Sequence, residues 1–241
     1  VNVENRPGAS ALVGTQFVAK SKPDGYTLVC ASSSAMTVLP ALRKNLPYDP
    51  VYDFTYISNF AIFPNVLVVN PSLPINNVRE LVEYAKARPN DVSFASLGMG
   101  STAHLYSEWF KAKTGAQFLH VPFKGGGPAD LATIGGEVEM TFGNVSQQLG
   151  YLNSGRLRAL GIASPKRSES FPDLPTIAEG GVPGYRADAM LGFLAPANTS
   201  RAIVDLLNAE AHKAMRRASA ECRSAQGDAP RRYGRSDARD S

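Results

Sequence analysis

Along residues 1–215, short apolar runs of strand length alternate with amphipathic stretches of helix length, and Gly, Pro, Asn or Asp marks nearly every change. A strand period of two that keeps giving way to a helix period of 3.6 describes an α/β protein with a largely parallel sheet. The 21 Gly and 17 Pro fit many short elements and disfavour a helical bundle. Charged residues are only 19% and hydrophobic ones 44%, so the body can bury a core and is no disordered chain. No apolar run approaches the ~20 residues that cross a bilayer.

The expected elements begin with a strand at Val1–Asn5, broken by Arg6-Pro7-Gly8. A helix over Ala9–Lys20 should face inward through Leu12, Val13, Gln16 and Phe17. Strands follow at Tyr26–Ser32 and Pro64–Asn70, then a helix over Asn77–Arg88 capped by its Asn. Val92–Leu97 reads as a strand, and Ser101–Thr114 as a helix stopped by Gly115. Phe118–Phe123, Val138–Phe142, Arg158–Ala163 and Leu191–Ala195 are further strands, and Ser200–Met215 is a last amphipathic helix. The segment 216–241 has no Ile, Leu, Val, Met, Phe or Trp and is expected to be disordered.

That tail carries +3 of the formal +4, so the body is nearly neutral and offers no general nucleic-acid surface. Cys30 lies in an apolar run, as a small buried hydrophobe would, and Cys222 lies in the tail. Two cysteines make neither a disulfide framework nor a metal site, and His104, His120 and His212 lack ligand-spaced carboxylates.

Two strand-to-helix junctions are rich in Ser and Gly: Ala31-Ser32-Ser33-Ser34-Ala35 and Ser96-Leu97-Gly98-Met99-Gly100-Ser101-Thr102-Ala103-His104. Unpaired helix-start N–H groups and the helix dipole favour an anion there, although simple N-capping uses the same residues. A third junction, Val121-Pro122-Phe123-Lys124-Gly125-Gly126-Gly127-Pro128, adds a cation to backbone that a ligand can approach closely. Gly98–Ala103 fits the dinucleotide spacing G-x-G-x-x-A, but the next strand ends at His120–Lys124 without the acid that would hold a ribose. There is no Gly-x-Ser-x-Gly elbow and no acid/base pair. Ligand-holding features are present; catalytic ones are not.

Several strings recur in one order in a known family: Val3–Ala9, Lys22-Pro23-Asp24-Gly25-Tyr26-Thr27-Leu28, Leu46-Pro47-Tyr48-Asp49-Pro50 and Asn65–Pro71. The Ser96–His104 loop, His120–Gly126, Asp173–Glu179 and Leu194–Ala197 complete the set. From Val1 to about Met215 the chain resembles the Bug-type extracytoplasmic solute-binding receptors of the tripartite tricarboxylate transporter (TctC) family. The resemblance implies a periplasmic-binding-protein-like, two-lobed α/β Venus flytrap, each lobe a mixed sheet flanked by helices. It implies residues 1–66 with 190–215 as one lobe and 67–189 as the other. It further implies a periplasmic, monomeric receptor with no cofactor, no metal and no enzymatic activity, which hands a small carboxylate to a membrane permease.

By motif, the pocket residues would be Ser32, Ser33 and Ser34 facing Ser96, Gly98, Gly100, Ser101, His104, Lys124 and Gly125. Asn144 and Met190 join them at altered positions, since the family often has Asp-Asn where Gly143-Asn144 stands and an aromatic where Met190 stands. The missing acid disfavours an amino-acid ligand. Family members carry a further strand and glycine-rich loop ahead of the Val1–Asn5 segment, and an amphipathic region beyond Met215. An Arg/Ser/Ala-rich tail is what a shifted reading frame in GC-rich DNA would produce. The alternatives are therefore a non-functional remnant of such a receptor, or an NAD(P)-dependent enzyme using Gly98–Ala103.

Overall fold

The computed structural model describes residues 2–168 and 171–226. In chain order the elements are α1 (Leu12–Ala19), β1 (Val29–Ser32), α2 (Leu39–Leu42), β2 (Phe54–Val69), α3 (Val78–Ala87), β3 (Ser93–Ser96) and α4 (Thr102–Thr114). There follow β4 (Leu119–Pro122), α5 (Gly126–Gly135), β5 (Met140–Asn144), α6 (Val145–Asn153), β6 (Arg158–Ile162), β7 (Asp188–Pro196) and α7 (Arg201–Gln226). A 3-10 turn at Ala9–Ala11 precedes α1, and a π-helical turn at Ser34–Val38 runs directly into α2.

The strands lie along one hydrogen-bonded path, β1-β7-β2-β5-β3-β4, with β6 also pairing β2. The long strand β2 joins two groups. Its Phe54–Pro64 stretch runs antiparallel to β7, which in turn pairs β1. Its last residues, Asn65–Val69, pair antiparallel with β5, and Val66–Val69 with β6. Beyond β5 the register turns parallel, through β3 to β4.

The main core packs α3 and α4 against the second group of strands through Leu67, Val69, Leu81, Phe94, Phe110, Phe118, Phe142 and Tyr185. Each such fully buried side chain is worth about 1.5–3 kcal/mol relative to exposure. On the opposite face Val66, Val68, Leu152, Leu157 and Ile162 form a second cluster, so residues 66–69 of β2 are buried on both sides. A smaller cluster of Ala31, Tyr48, Phe54 and Leu194 serves the first group.

The helix ends obey local rules. Asn77 caps α3 by accepting from the Glu80 N–H, and Ser101 caps α4 by accepting from the His104 N–H. Gly115 ends α4 with φ of 72°, in the left-handed region that glycine occupies at little cost.

Several expectations are corrected. Residues 2–5 form no strand, and the sheet is mixed, as the resemblance implies, instead of largely parallel as the alternating pattern alone suggests; β2 is antiparallel to three neighbours. The strand expected from Pro64 begins at Phe54, because pairing with β7 holds a stretch whose own pattern alternates irregularly. Helix α1 buries Thr15 and Val18 and leaves Val13 and Phe17 exposed, since apolar residues on several sides mark no single face. Cys30 is an exposed, free thiol rather than a buried one. Helix α6 stands where the sequence pattern marks no helix. Helix α7 continues past Met215 to Gln226, where disorder was expected. Ala, Arg, Glu and Gln propagate an existing helix well without an apolar face. The remainder of the expected disordered tail, 227–241, lies outside the described residues.

Candidate ligand-binding site

Strands β4, β3 and β5 are neighbours that run the same way, so their carboxyl ends present three loops side by side. These loops hold Ser96–Ser101, Phe123–Gly125 and Asn144. Such a row of strand ends is where open α/β sheets hold ligands. The Phe123 N–H donates to the Ser96 carbonyl at 2.9 Å, which ties the first two loops together. A side chain at Gly126 would come within 3.9 Å of the Gln147 amide, so the starts of α5 and α6 are also adjacent.

The three helix starts differ. Asn144 caps α6 by accepting from the Ser146 N–H at 2.9 Å. Ser101 is buried and caps α4. The start of α5 has no capping side chain, and nothing lies within 4 Å of where a Cβ would stand on Gly125 or Gly127. Lys124, whose side chain is exposed, stands immediately before this start. An uncapped helix start beside a cation is a suitable anion cradle.

Residues of the first strand group approach the same loops. The Thr102 N–H donates to the Ser34 hydroxyl at 3.0 Å, and the Ser10 hydroxyl donates to the Met99 carbonyl at 3.0 Å. A Cβ on Gly100 would stand 3.1 Å from Leu39 and 3.5 Å from Leu42. Ser33 turns to the crossing strand instead, where the Met190 N–H donates to its hydroxyl at 2.9 Å. Ser32 ends β1 and pairs with Leu191 in register. Met190 is a half-exposed residue of β7.

The base of the first loop is tied by two histidines. The His104 and His120 rings stack with centroids 4.2 Å apart, and Phe94 stacks on His120 at 4.7 Å. The Gly100 N–H donates to His104 Nδ1 at 3.2 Å, and His120 Nε2 is hydrogen-bonded to the Ser96 hydroxyl at 2.6 Å. Burial holds both rings below the ordinary imidazole range. His120 is lowered to about 4, with the neighbouring His104 adding to the effect of burial. Both are therefore neutral near pH 7, and they shape the loop instead of supplying charge. His120 carried no local signal of this role, because its partners are 16 and 24 positions away.

Behind the loops, the buried Gln148 amide donates to Asp130 at 2.6 Å and covers Gly143. Burial raises the Asp130 pKa against the opposing effect of that bond. Among the described residues no three His, Cys, Asp or Glu side chains converge as a metal site would need. No helix of the described residues is long and apolar enough to cross a membrane. An open concavity of about 530 Å³ lies elsewhere, lined by Pro40, Arg43, Lys44, Tyr48 and Asp53. It does not contain the strand ends described above. Asp49, which also lines it, is spent on the turn, accepting from the Val51 and Tyr52 N–H groups.

The expected pocket residues thus fall into three sets. Ser96, Gly98, Gly100, Ser101, His104, Lys124, Gly125 and Asn144 gather at the strand ends. Ser34 meets them from the other strand group, whereas Ser32, Ser33 and Met190 lie along the β1–β7 pairing.

Comparison with known proteins gives a consistent picture. The family described as tripartite tricarboxylate transporter family receptor matches over residues 1–230, beyond the Met215 limit expected for the resemblance. Protein BugT of Bordetella pertussis is 41% identical over 232 residues, covering 95% of this chain and 71% of BugT. The solved structure of Rhodopseudomonas palustris Rpa4515 with adipate superposes with a TM-score of 0.84 at 36% identity, covering 86% of this chain and 70% of that one. MatC (Rpa3494) from the same organism, with bound malate, gives 0.81 at 29% identity over 86% of this chain and 70% of its own. The chain spans between 60% and 71% of the length of the curated relatives it matches. The fold is that of periplasmic binding proteins of this kind.

Proposed function

The chain belongs to the tripartite tricarboxylate transporter receptor family, and on that premise we propose that it captures a small carboxylate or dicarboxylate in the periplasm and passes it to a membrane permease. Residues 1–66 with 190–215 form one lobe and 67–189 the other, and the ligand is held between them by a monomer. The observation that carries this reading is the uncapped α5 start beside Lys124, set among the Ser-rich loops at the ends of β4, β3 and β5. Glycine backbone N–H groups and hydroxyls bind a carboxylate, and hinge closure excludes bulk water. No step requires bond chemistry, a metal or a cofactor. The relatives solved with adipate and malate support a dicarboxylate in particular.

A thermal-shift screen against di- and tricarboxylates, aromatic acids, amino acids and nicotinamide cofactors tests this. A ligand that binds only the native state stabilises it by about 2.7 kcal/mol at a hundred times its Kd. Adipate, malate or a close analogue should raise the midpoint by several degrees. Stabilisation by a nicotinamide cofactor alone would move the site to the reading of an NAD(P)-dependent enzyme using Gly98–Ala103, and a chain without cooperative unfolding would be a remnant.

A further inference from the structure

We infer that Ser34 is the bolt that holds the two lobes closed, coupling closure to carboxylate capture through the first N–H of α4. This rests on the receptor reading above and adds to it a specific positioning residue.

Ser34 belongs to the turn that follows β1 in the first strand group, while α4 belongs to the second. Ser34 is 8% exposed as a residue, and its hydroxyl accepts from the Thr102 N–H at 3.0 Å in a partly buried contact over a sequence separation of 68. Thr102 opens α4, so this hydroxyl oxygen satisfies one of the donors that a helix start leaves without an intrahelical partner. The contact is not isolated. The Ser10 hydroxyl donates to the Met99 carbonyl, and Leu39 and Leu42 press on Gly100, so the 97–102 loop is gripped from the first group by both polar and apolar contacts. The Gly100 N–H on His104 and the Ser101 cap on the His104 N–H hold the gripped loop in one shape. Gly100 has φ of +77°, and any larger residue there would push on Leu39.

The chemistry links closure to the ligand. A serine hydroxyl that accepts from a helix-start N–H keeps its own hydrogen to donate. That hydrogen is drawn positive by the α4 dipole, which favours a carboxylate as its acceptor. When the lobes separate, Ser34 leaves Thr102 and the donor loses this polarisation. Removal of the hydroxyl therefore weakens closure and carboxylate binding together.

The test compares the wild type, Ser34→Ala and Ser34→Thr, which restores a hydroxyl. Hydrogen exchange is followed at Thr102, small-angle scattering reports lobe separation, and malate and adipate are titrated calorimetrically. Without ligand, Ser34→Ala should exchange Thr102 about five- to tenfold faster, as expected for one lost cross-cleft hydrogen bond. Its scattering radius should rise, its affinity for whichever probe binds should fall by a similar factor, and exchange in α3 should not change. Ser34→Thr should return all three toward the wild type. An unchanged Thr102 rate overturns the inference, and so does faster exchange with no change in scattering, since Ser34 would then be only a local cap. If neither probe binds the wild type, the receptor reading for these dicarboxylates fails, while the ligand-free measurements still decide the bolt.

Discussion

Acidification should loosen this protein through the stacked histidines at the base of the Ser96–His104 loop. In the native state His120 stays neutral down to about 4. In the unfolded chain it takes a proton at the ordinary value near 6.5. Between these two values the unfolded state binds more protons, so stability rises with pH there. The contribution is complete above about pH 7, is lost as pH falls toward 4, and changes no further below that. Unscreened, a shift of this size would be worth about 3 kcal/mol. The ring is only partly buried, so solvent screening reduces the expected loss to about 1–2 kcal/mol. His104 acts in the same direction, also through burial, and the Glu108 and Lys111 charges on its helix oppose one another at both rings.

Other groups also make stability depend on pH. Burial raises Asp130 and Asp188, which favours the native state as pH falls, whereas the Thr176 N–H and Arg167 hold Glu179 low, which does the reverse. The informative quantity is therefore the difference between the wild type and His120→Gln, which keeps a polar partner for Ser96 but cannot titrate. Urea unfolding of both proteins at intervals from pH 8 to pH 4.5 should give curves that converge by about 1–2 kcal/mol toward the acid end. Parallel curves would refute the reasoning, as would proton NMR titrations placing both imidazoles near 6.5.

Two further perturbations bear on the same region and its support. Gly143→Ala places a methyl against the Gln148 amide and 2.7 Å from its Cγ, so the side chain must leave Asp130. A loss of about 1–3 kcal/mol in chemical denaturation is expected, whereas the same substitution made in a Gln148→Ala background should cost much less. An equal cost in both backgrounds would show that Gln148 is not the obstacle. Asn77→Ala removes the cap that accepts from the Glu80 N–H at 2.9 Å and should cost about 1 kcal/mol by the same assay. An unchanged denaturation midpoint would deny the cap its role.

What could be read in advance follows from the range of each interaction. The cap at Asn77, the cap at Ser101 and the stop at Gly115 are encoded within four residues of where they act, and they stand where the sequence puts them. The solid apolar run Val66–Val69 announces a strand buried on both faces. Phe54–Phe63 does not, because its partners lie near residue 190 and its outward positions are mixed. Alternating helices and strands suggest parallel pairing, and nothing local reveals that β2 and β7 cross antiparallel. The candidate site divides in the same way. The Ser and Gly of the strand ends are visible as a pattern, whereas Ser34 on Thr102, Ser10 on Met99 and the His104–His120 stack are encounters between distant segments.

The continuity of β2 also ties a pairing near in sequence to one far away. Its last residues pair with strands that end by Ile162. Its first residues pair with β7, where Phe54 meets Pro196 across 142 positions of chain. Because alternate residues face opposite sides, a slip of one residue would invert both ends at once. The buried middle of the protein thereby serves as the register gauge for the distant pairing.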